Sequence, residues 1–358
     1  MRKLKVGIVG CGGIANGKHL PAMQRNGNFE MVAFCDIIKE RAEEAKKKYG
    51  TDDARVYTDY QELVKEDLDA VYVLTPNKSH ADISIAAMKA GKHVMCEKPM
   101  AKTYADAKRM VEVAKETGKI LTIGYQNRYR QDSIYLKRAC ENGDLGEIYY
   151  AKAHALRRRA VPTWGVFLNA EEQGGGPLID IGTHALDLTL WMMDNYEPES
   201  VTGSVYRKLA DQKEQGNAFG EWDPNIFTVE DAAFGFIKMK NGATIHLEAS
   251  WALNTLDVDE AKTTLCGTKA GADMKDGLRI NRVQYNKQCV EKPDLSSGGV
   301  AFFEGKSEKE SDIEQRVFYD AITKGTELVV KPEQALVVTR ILEAIYESGR
   351  TGKTVYFD

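Results

Sequence analysis

Three side chains in this sequence have the types and settings for moving a proton to or from an oxygen. Lys98 stands in Glu97-Lys98-Pro99, directly after Val94-Met95-Cys96, an apolar run that reads as a short buried strand. A lysine donor held beside a hydroxyl or carbonyl oxygen stabilises negative charge developing there, or passes a proton. Asp180 and His184 lie in "GGGPLIDIGTHALDL", residues 174–188. Histidine exchanges protons near neutral pH, and an aspartate can orient or polarise it. If Asp180 opens a helix, the two lie on one face. The competing use of Asp180 is as a helix N-cap. The three glycines, Gly174 to Gly176, are expected where backbone approaches something closely, as at a pocket wall.

A second pattern indicates what accompanies such chemistry. Gly10-Cys11-Gly12-Gly13-Ile14-Ala15 follows an apolar strand pattern and opens a helical one. Gly10 permits a tight turn, Gly12 lets backbone approach a pyrophosphate, and Ala15 allows close helix–strand packing. The helix N-terminus, with Gly13 and Ile14 in its first turn, would receive the phosphates. The next strand pattern ends at Asp36, and 36 − 15 places it 21 residues beyond Ala15. That is the expected place for a carboxylate binding the adenosine ribose hydroxyls. A carboxylate there repels a 2′-phosphate, so the cofactor reads as NAD rather than NADP, with Lys39 and Arg41 the nearest basic residues.

These residues need elements to carry them. Through the first third, strand patterns at 3–10, 29–35, 70–75, 93–96 and 119–125, and a short one opening 55–66, alternate with helical ones. Alternation of this kind predicts a parallel sheet with helices on both faces. Pro21, inside the first helical stretch (14–26), predicts a kink or restart. Open parallel sheets bind ligands outside the carboxyl ends of their strands. Those ends here are Gly10, Asp36, Thr75-Pro76-Asn77 with His80 following, Glu97-Lys98-Pro99, and Gly124-Tyr125-Gln126-Asn127-Arg128. Polar groups crowd one edge. Pro99 holds the turn rigid, and a cis Lys98–Pro99 bond is expected.

After Tyr125 the rhythm changes, which predicts a domain over 1–125 and another over 126–358. The second reads as α+β with an open, mostly antiparallel sheet. Its clearest hairpin is 232–251, where Asn241-Gly242 suits the positive φ angles of a tight turn. Ile245, Leu247, Ala249 and Trp251 share one face of it; Thr244, His246, Glu248 and Ser250 share the other. Residues 207–225 read as a long polar loop, and 331–352 as a closing helix. Two stretches bear on specificity: 124–130, which offers Asn127 and Arg128, and 155–167, which offers Arg157 to Arg159 and Trp164. Arginines hydrogen-bond hydroxyls or clamp an anionic group, and a tryptophan can stack on a sugar face.

Composition narrows the class. The net charge of −4 gives no global pull toward nucleic acid or anionic lipid. No apolar run approaches the ~20 residues of a membrane span. The basic-then-apolar start runs into glycines rather than a cleavage site, so it reads as a strand. Six scattered cysteines form no C-x-x-C pair, and no cluster has metal-ligand spacing. A reducing cytoplasm is the expected compartment.

Gly10-x-Gly12-x-x-Ala15, Glu97-Lys98-Pro99 and Gly-Gly-Gly-Pro-Leu-Ile-Asp180-Ile-Gly-Thr-His184 together resemble the Gfo/Idh/MocA oxidoreductases. The resemblance extends over nearly the whole chain. It implies a Rossmann domain followed by an α/β domain on an open sheet, a nicotinamide cofactor, and a sugar, polyol or sugar derivative as substrate. It implies that Lys98, Asp180 and His184 handle the substrate hydroxyl, and that Thr75, Asn77, His80 and Glu97 line the cofactor with Lys98. Partly by the same analogy, a homodimer or homotetramer is expected. Two other uses of such a chain are a glycosidase working by transient oxidation on held NAD, and a sugar- or dinucleotide-sensing regulator without turnover. The presence of Lys98, Asp180 and His184 argues against the regulator.

Overall fold

The structure, a computed structural model, describes residues 2–295 and 308–357. These form two compact units, the first of residues 2–129 and 308–336, the second of residues 130–295 and 337–357.

The first unit is built on six strands: β1 Leu4–Val9, β2 Phe29–Cys35, β3 Arg55–Tyr57, β4 Ala70–Val73, β5 His93–Cys96 and β6 Leu121–Ile123. All pair in parallel, in the order β3-β2-β1-β4-β5-β6. β4 and β6 are buried along their whole lengths, as strands covered on both faces must be. The order reverses between β1 and β4, the switch point at which a crevice opens outside the carboxyl ends. Gly10, Asp36, Thr75, Glu97 and Gly124 therefore all leave the sheet at one edge. After the glycine turn the chain makes a π-helical turn, Ala15–His19, then restarts as the helix Leu20–Asn26 with Pro21 in its first turn. This is the restart the proline predicts, because its missing N–H costs nothing there.

No element is expected from sequence over 310–324, and everything after residue 125 is expected in one domain. The structure has a helix, Glu310–Lys324, and groups it with the parallel sheet. The packing explains this. Phe318 stands edge-on to Tyr72 at 5.7 Å, and Tyr319 edge-on to Phe29 at 5.9 Å, so the helix completes the aromatic core over β2 and β4.

The second unit carries nine strands: β7 Ile148–Leu156, β8 Pro198–Tyr206, β9 Ala232–Met239, β10 Thr244–Ser250, β11 Asp259–Gly267, β12 Ala270–Asp273, β13 Arg279–Gln284, β14 Lys287–Glu291 and β15 Val355–Tyr356. Their order is β14-β13-β12-β11-β7-β10-β9-β8-β15. Among the described residues only β7 and β10 pair in parallel, so the sheet is mixed and mostly antiparallel. Ile245, Leu247, Ala249 and Trp251 are buried, next to Ala151, Ala153 and Ala155 of β7. The small β7 residues let the helix Thr183–Met193 lie close to the sheet.

Two details differ from expectation. Gly242 alone takes a positive φ, +89°; Asn241 does not, and its side chain instead accepts the Ala243 N–H. Ser250 is buried because its hydroxyl is bonded to the Asp231 carbonyl at 2.7 Å. The loop 207–225 has no helix or strand but is well tied. Trp222 is buried, donates its ring N–H to Ala210 O, and exchanges two hydrogen bonds with the Gln215 side chain.

Candidate active site

The glycine turn has the shape a dinucleotide requires. Gly10 has φ +93°, and a Cβ there would stand 2.5 Å from Leu74 O, so only glycine fits. A Cβ on Gly12 or Gly13 would meet nothing within 4 Å, which leaves the backbone open to a phosphate. Ala15 is fully buried, and Asn16 pins the turn by donating to Cys11 O and Gly12 O. Asp36 accepts the Cys11 N–H at 2.9 Å on one carboxylate oxygen and the Ile38 N–H at 2.9 Å on the other. Each oxygen keeps acceptor capacity for ribose hydroxyls. The group therefore stitches β2 to the glycine turn. Asp36→Ala is expected to raise the ratio of kcat/KM for NADP to that for NAD on the order of tenfold, read from cofactor titrations with one substrate.

At the ends of β4 and β5, the side chains hold one backbone turn. The Lys98–Pro99 bond is cis, as expected. His80 is fully buried, with Nδ1 2.8 Å from Pro99 O and Nε2 2.8 Å from Thr75 O, so it ties the end of β4 to the Lys98 turn. Burial pushes this imidazole below its ordinary pKa, against the pull of the two carbonyls. Lys98 itself is half-buried, and its N–H donates to Glu97 Oε2 at 3.0 Å. Thr75 and Asn77 are half-buried nearby in sequence, with Ser79 bonded to the Thr75 hydroxyl.

Glu97 is the centre of a buried network. Its Oε1 lies 2.9 Å from Lys18 Nζ and 2.7 Å from His19 Nε2. Lys18 also reaches Gln126 at 3.0 Å and Glu314 at 3.0 Å. His19 Nδ1 faces the Gln315 side-chain nitrogen at 3.2 Å, and Tyr72 donates to Gln315 Oε1 at 2.6 Å. Burial pushes the Glu97 carboxyl up, but Lys18 and His19 overcome this and hold it well below the usual carboxylate range. Gly124 makes room for the network: a Cβ there would lie 3.0 Å from Glu97 Oε1. Sequence reading missed Lys18, Glu314 and Gln315. The available signal was Lys18, a charged residue three positions past Ala15 on the helix that follows the glycine turn.

In the second unit, Asp180 lies in a π-helical turn, Leu178–Gly182, that runs into the helix Thr183–Met193 carrying His184. Asp180 is not an N-cap; Pro177 and Gly182 hold those positions. Its Oδ2 accepts the ring N–H of buried Trp251 at 3.0 Å. His184 is buried to 8 % exposure.

The glycines before the turn approach protein, which corrects the pocket-wall expectation. A Cβ on Gly175 would fall on the Tyr346 hydroxyl, and one on Gly176 would fall 2.2 Å from Glu230 O. The Glu230 carboxylate accepts the Gly176 and Leu178 N–H groups and the Tyr346 hydroxyl. Burial nevertheless pushes it above the usual carboxylate range. Glu230 thus fixes the start of the turn that bears Asp180. Gly176→Ala is expected to destabilise the second unit by about 1–3 kcal/mol, because backbone must move to admit the methyl; thermal melts of the two proteins check this.

Two proposed substrate ligands are committed elsewhere. Arg128 is fully buried, and its Nη1 donates to Val329 O and Gln334 Oε1, fastening residues 329–334 within the first unit. Arg157 makes a bidentate pair with Glu260 at 2.5 and 2.6 Å. Neither is retained as a substrate ligand. Asn127 is half-buried, and Trp164 is 53 % exposed.

Comparison with known proteins bears on both units. A family model described as "Oxidoreductase family, NAD-binding Rossmann fold" matches residues 4–125, and its companion, "Oxidoreductase family, C-terminal alpha/beta domain", matches residues 137–357. The chain is 36% identical over 353 residues to D-glucoside 3-dehydrogenase of Escherichia coli K12, covering 98% of this chain and 97% of that protein. It is 32% identical over 194 residues to inositol 2-dehydrogenase of Salmonella typhimurium, spanning 53% of this chain and 55% of the relative. A solved structure of levoglucosan dehydrogenase with NADH and L-sorbose superposes with a TM-score of 0.85 at 22% identity, over the full length of both chains. At that identity the likeness is one of fold.

Proposed function

The chain belongs to the Gfo/Idh/MocA oxidoreductase family, and from that premise we propose that it is an NAD-dependent dehydrogenase oxidising a ring CH–OH group of a glucoside, a related sugar derivative or a cyclic polyol. The observation that carries this reading is the near full-length likeness to a glucoside dehydrogenase. The relatives named above are dehydrogenases, which does not favour the glycosidase or the sensor.

The residues present fit the cofactor. Backbone of Gly12 and Gly13, with Ile14 and the close-packed Gly10 and Ala15, would receive the pyrophosphate, and Asp36 the adenosine ribose. Thr75 and Asn77 are proposed at the nicotinamide end. His80 and Glu97 contribute by holding the Lys98 turn. The bound nicotinamide supplies the hydride acceptor. His184 takes the hydroxyl proton. Lys98 hydrogen-bonds a substrate oxygen and relays a proton, and Asp180 orients the substrate. Asn127 and Trp164 are proposed to contact the sugar.

Among the described residues no helix is long and apolar enough to cross a membrane. We place the protein in the cytoplasm and propose a homodimer or homotetramer. Phe236, 53 % exposed in register with His246 on the open sheet face, supports such an assembly. The function is tested with a panel of glucosides, inositols and sugar phosphates against NAD and NADP, followed at 340 nm. NADH formation with a glucoside or inositol is expected; absence of turnover across the panel, or strong preference for NADP, contradicts the reading.

A further inference from the structure

Because β7 and β10 run parallel, their carboxyl ends, Leu156 and Ser250, lie side by side. The pairing continues past the strands. The Arg157 N–H bonds Ser250 O at 2.8 Å, the Leu253 N–H bonds Arg157 O at 3.0 Å, and the Ala160 N–H bonds Trp251 O at 2.8 Å. Arg157 Nη1 returns to Ala160 O at 3.2 Å. Trp251 is fully buried, with Phe167 edge-on to its ring at 6.5 Å. An indole and a guanidinium are thus carried on fixed backbone at one end of this strand pair.

Both bear on Asp180. The Trp251 ring N–H donates to Asp180 Oδ2 at 3.0 Å. The Arg157 fork is held by both carboxylate oxygens of Glu260, which the antiparallel β11 sets opposite Ala155 of β7. A guanidinium gripped in this way keeps its charge and gives up its freedom to turn. Burial pushes Arg157 down, but Glu260 and then the charge of Asp180 bring it above its ordinary pKa. Asp180 is therefore close enough to feel that cation.

The main chain of Asp180 is held independently. Its N–H bonds Gly176 O at 3.0 Å, and the Gly176 N–H is bonded to Glu230 at 2.8 Å. Of charged and titratable groups, the second unit sets Arg157 near the Asp180 carboxylate, Glu260 on Arg157, Glu230 at the start of the turn, and His184 four residues along the helix that follows. A donor and a cation at a carboxylate fix its plane and favour its ionised form.

We propose that Trp251 and Arg157 are positioning residues, which hold the Asp180 carboxylate in one orientation and as an anion for the substrate, while Glu260 acts by aiming Arg157. This assignment rests on the dehydrogenase reading above for what Asp180 meets. The test uses Trp251→Phe, which removes the indole N–H and keeps an aromatic ring, Arg157→Gln, which removes the charge, and Arg157→Lys, which keeps the charge without the fork. In protein labelled with ¹³C at the aspartate carboxyl carbons, the Asp180 signal is identified by its loss in Asp180→Asn and followed against pH. It is expected to titrate about one pH unit higher in Trp251→Phe and in Arg157→Gln than in the wild type, because each loses a group that favours the anion. Arg157→Lys is expected to stay nearer the wild type than Arg157→Gln. With NAD and a glucoside, kcat is expected to fall roughly tenfold in Trp251→Phe and Arg157→Gln, the worth of one hydrogen bond to a charged group, with KM for NAD within about twofold. Should the smaller ring prevent folding, β-(3-benzothienyl)alanine at position 251, which keeps the bicyclic shape and lacks the N–H, is expected to give the same shift. An unmoved Asp180 titration, an Arg157→Lys shift as large as that of Arg157→Gln, or unchanged kcat despite the shift would overturn the proposal. If the wild type oxidises no glucoside, the functional reading falls, and the titration alone still decides whether these two residues hold Asp180.

Discussion

Lys98→Met is expected to lower kcat by about 10²–10⁴-fold, the usual worth of a positioned proton donor or acceptor, while NAD still binds. Methionine keeps the length and apolar stem of lysine and removes only the ammonium. The Lys98 N–H reaches Glu97 and His80 holds Pro99 O, contacts that the substitution leaves in place. The glycine turn and Asp36 lie on other strands and keep their own contacts. Steady-state kinetics give kcat, and titration of NAD by calorimetry gives affinity. A fall in kcat with unchanged cofactor affinity supports a role in the chemical step. Normal turnover in a folded Lys98→Met protein contradicts it.

Glu97→Leu is expected to be among the most destabilising single changes in the first unit, costing about 3 kcal/mol. Removing one partner of a buried ion pair typically costs about 3–5 kcal/mol, because the other charge is left uncompensated. Lys18 keeps Glu314 at 3.0 Å, which places the cost at the lower end. The double variant Lys18→Met/Glu97→Leu is expected to lose less than the sum of the two singles, since no charge is stranded on the Glu97 side. Because the carboxyl is held well below its unfolded pKa of about 4.3, its contribution is fully present above that value. It is lost as pH falls through the acid range toward the folded pKa. Thermal melts of the wild type should therefore decline below about pH 4.3, and the decline should be shallower in Glu97→Leu. Additive losses, or identical acid profiles, would show that Glu97 is not the anion that Lys18 and His19 hold.

What could be read from the sequence, and what could not, follows a physical division. The parallel sheet, its binding edge and the glycine turn were legible because strand periodicity and positive-φ glycine are local properties. Gly10 illustrates this: its type predicts a tight turn, and it takes φ +93° there. The cis Lys98–Pro99 bond was legible for the same reason. Partners distant along the chain were not. Arg157 and Arg128 look like ligands in sequence, yet Arg157 meets Glu260 and Arg128 meets Gln334, neither signalled by a neighbouring residue. Lys18 and Glu97 are joined across 79 residues of chain, and Glu314 joins them from a helix read as no element at all. Gly175 and Gly176 were recognised as sites of close approach, but a glycine does not declare what approaches it. Here it is Tyr346 and Glu230.

The most direct test of the central claim follows the hydrogen itself. A glucoside deuterated at its ring C–H positions is incubated with the enzyme and NAD, and the dinucleotide is recovered for mass spectrometry. Net NADH carrying deuterium, together with a keto sugar that has lost one, is the predicted result. Cleavage of the glycoside with no net NADH, or NAD bound and recovered unreduced, would contradict it.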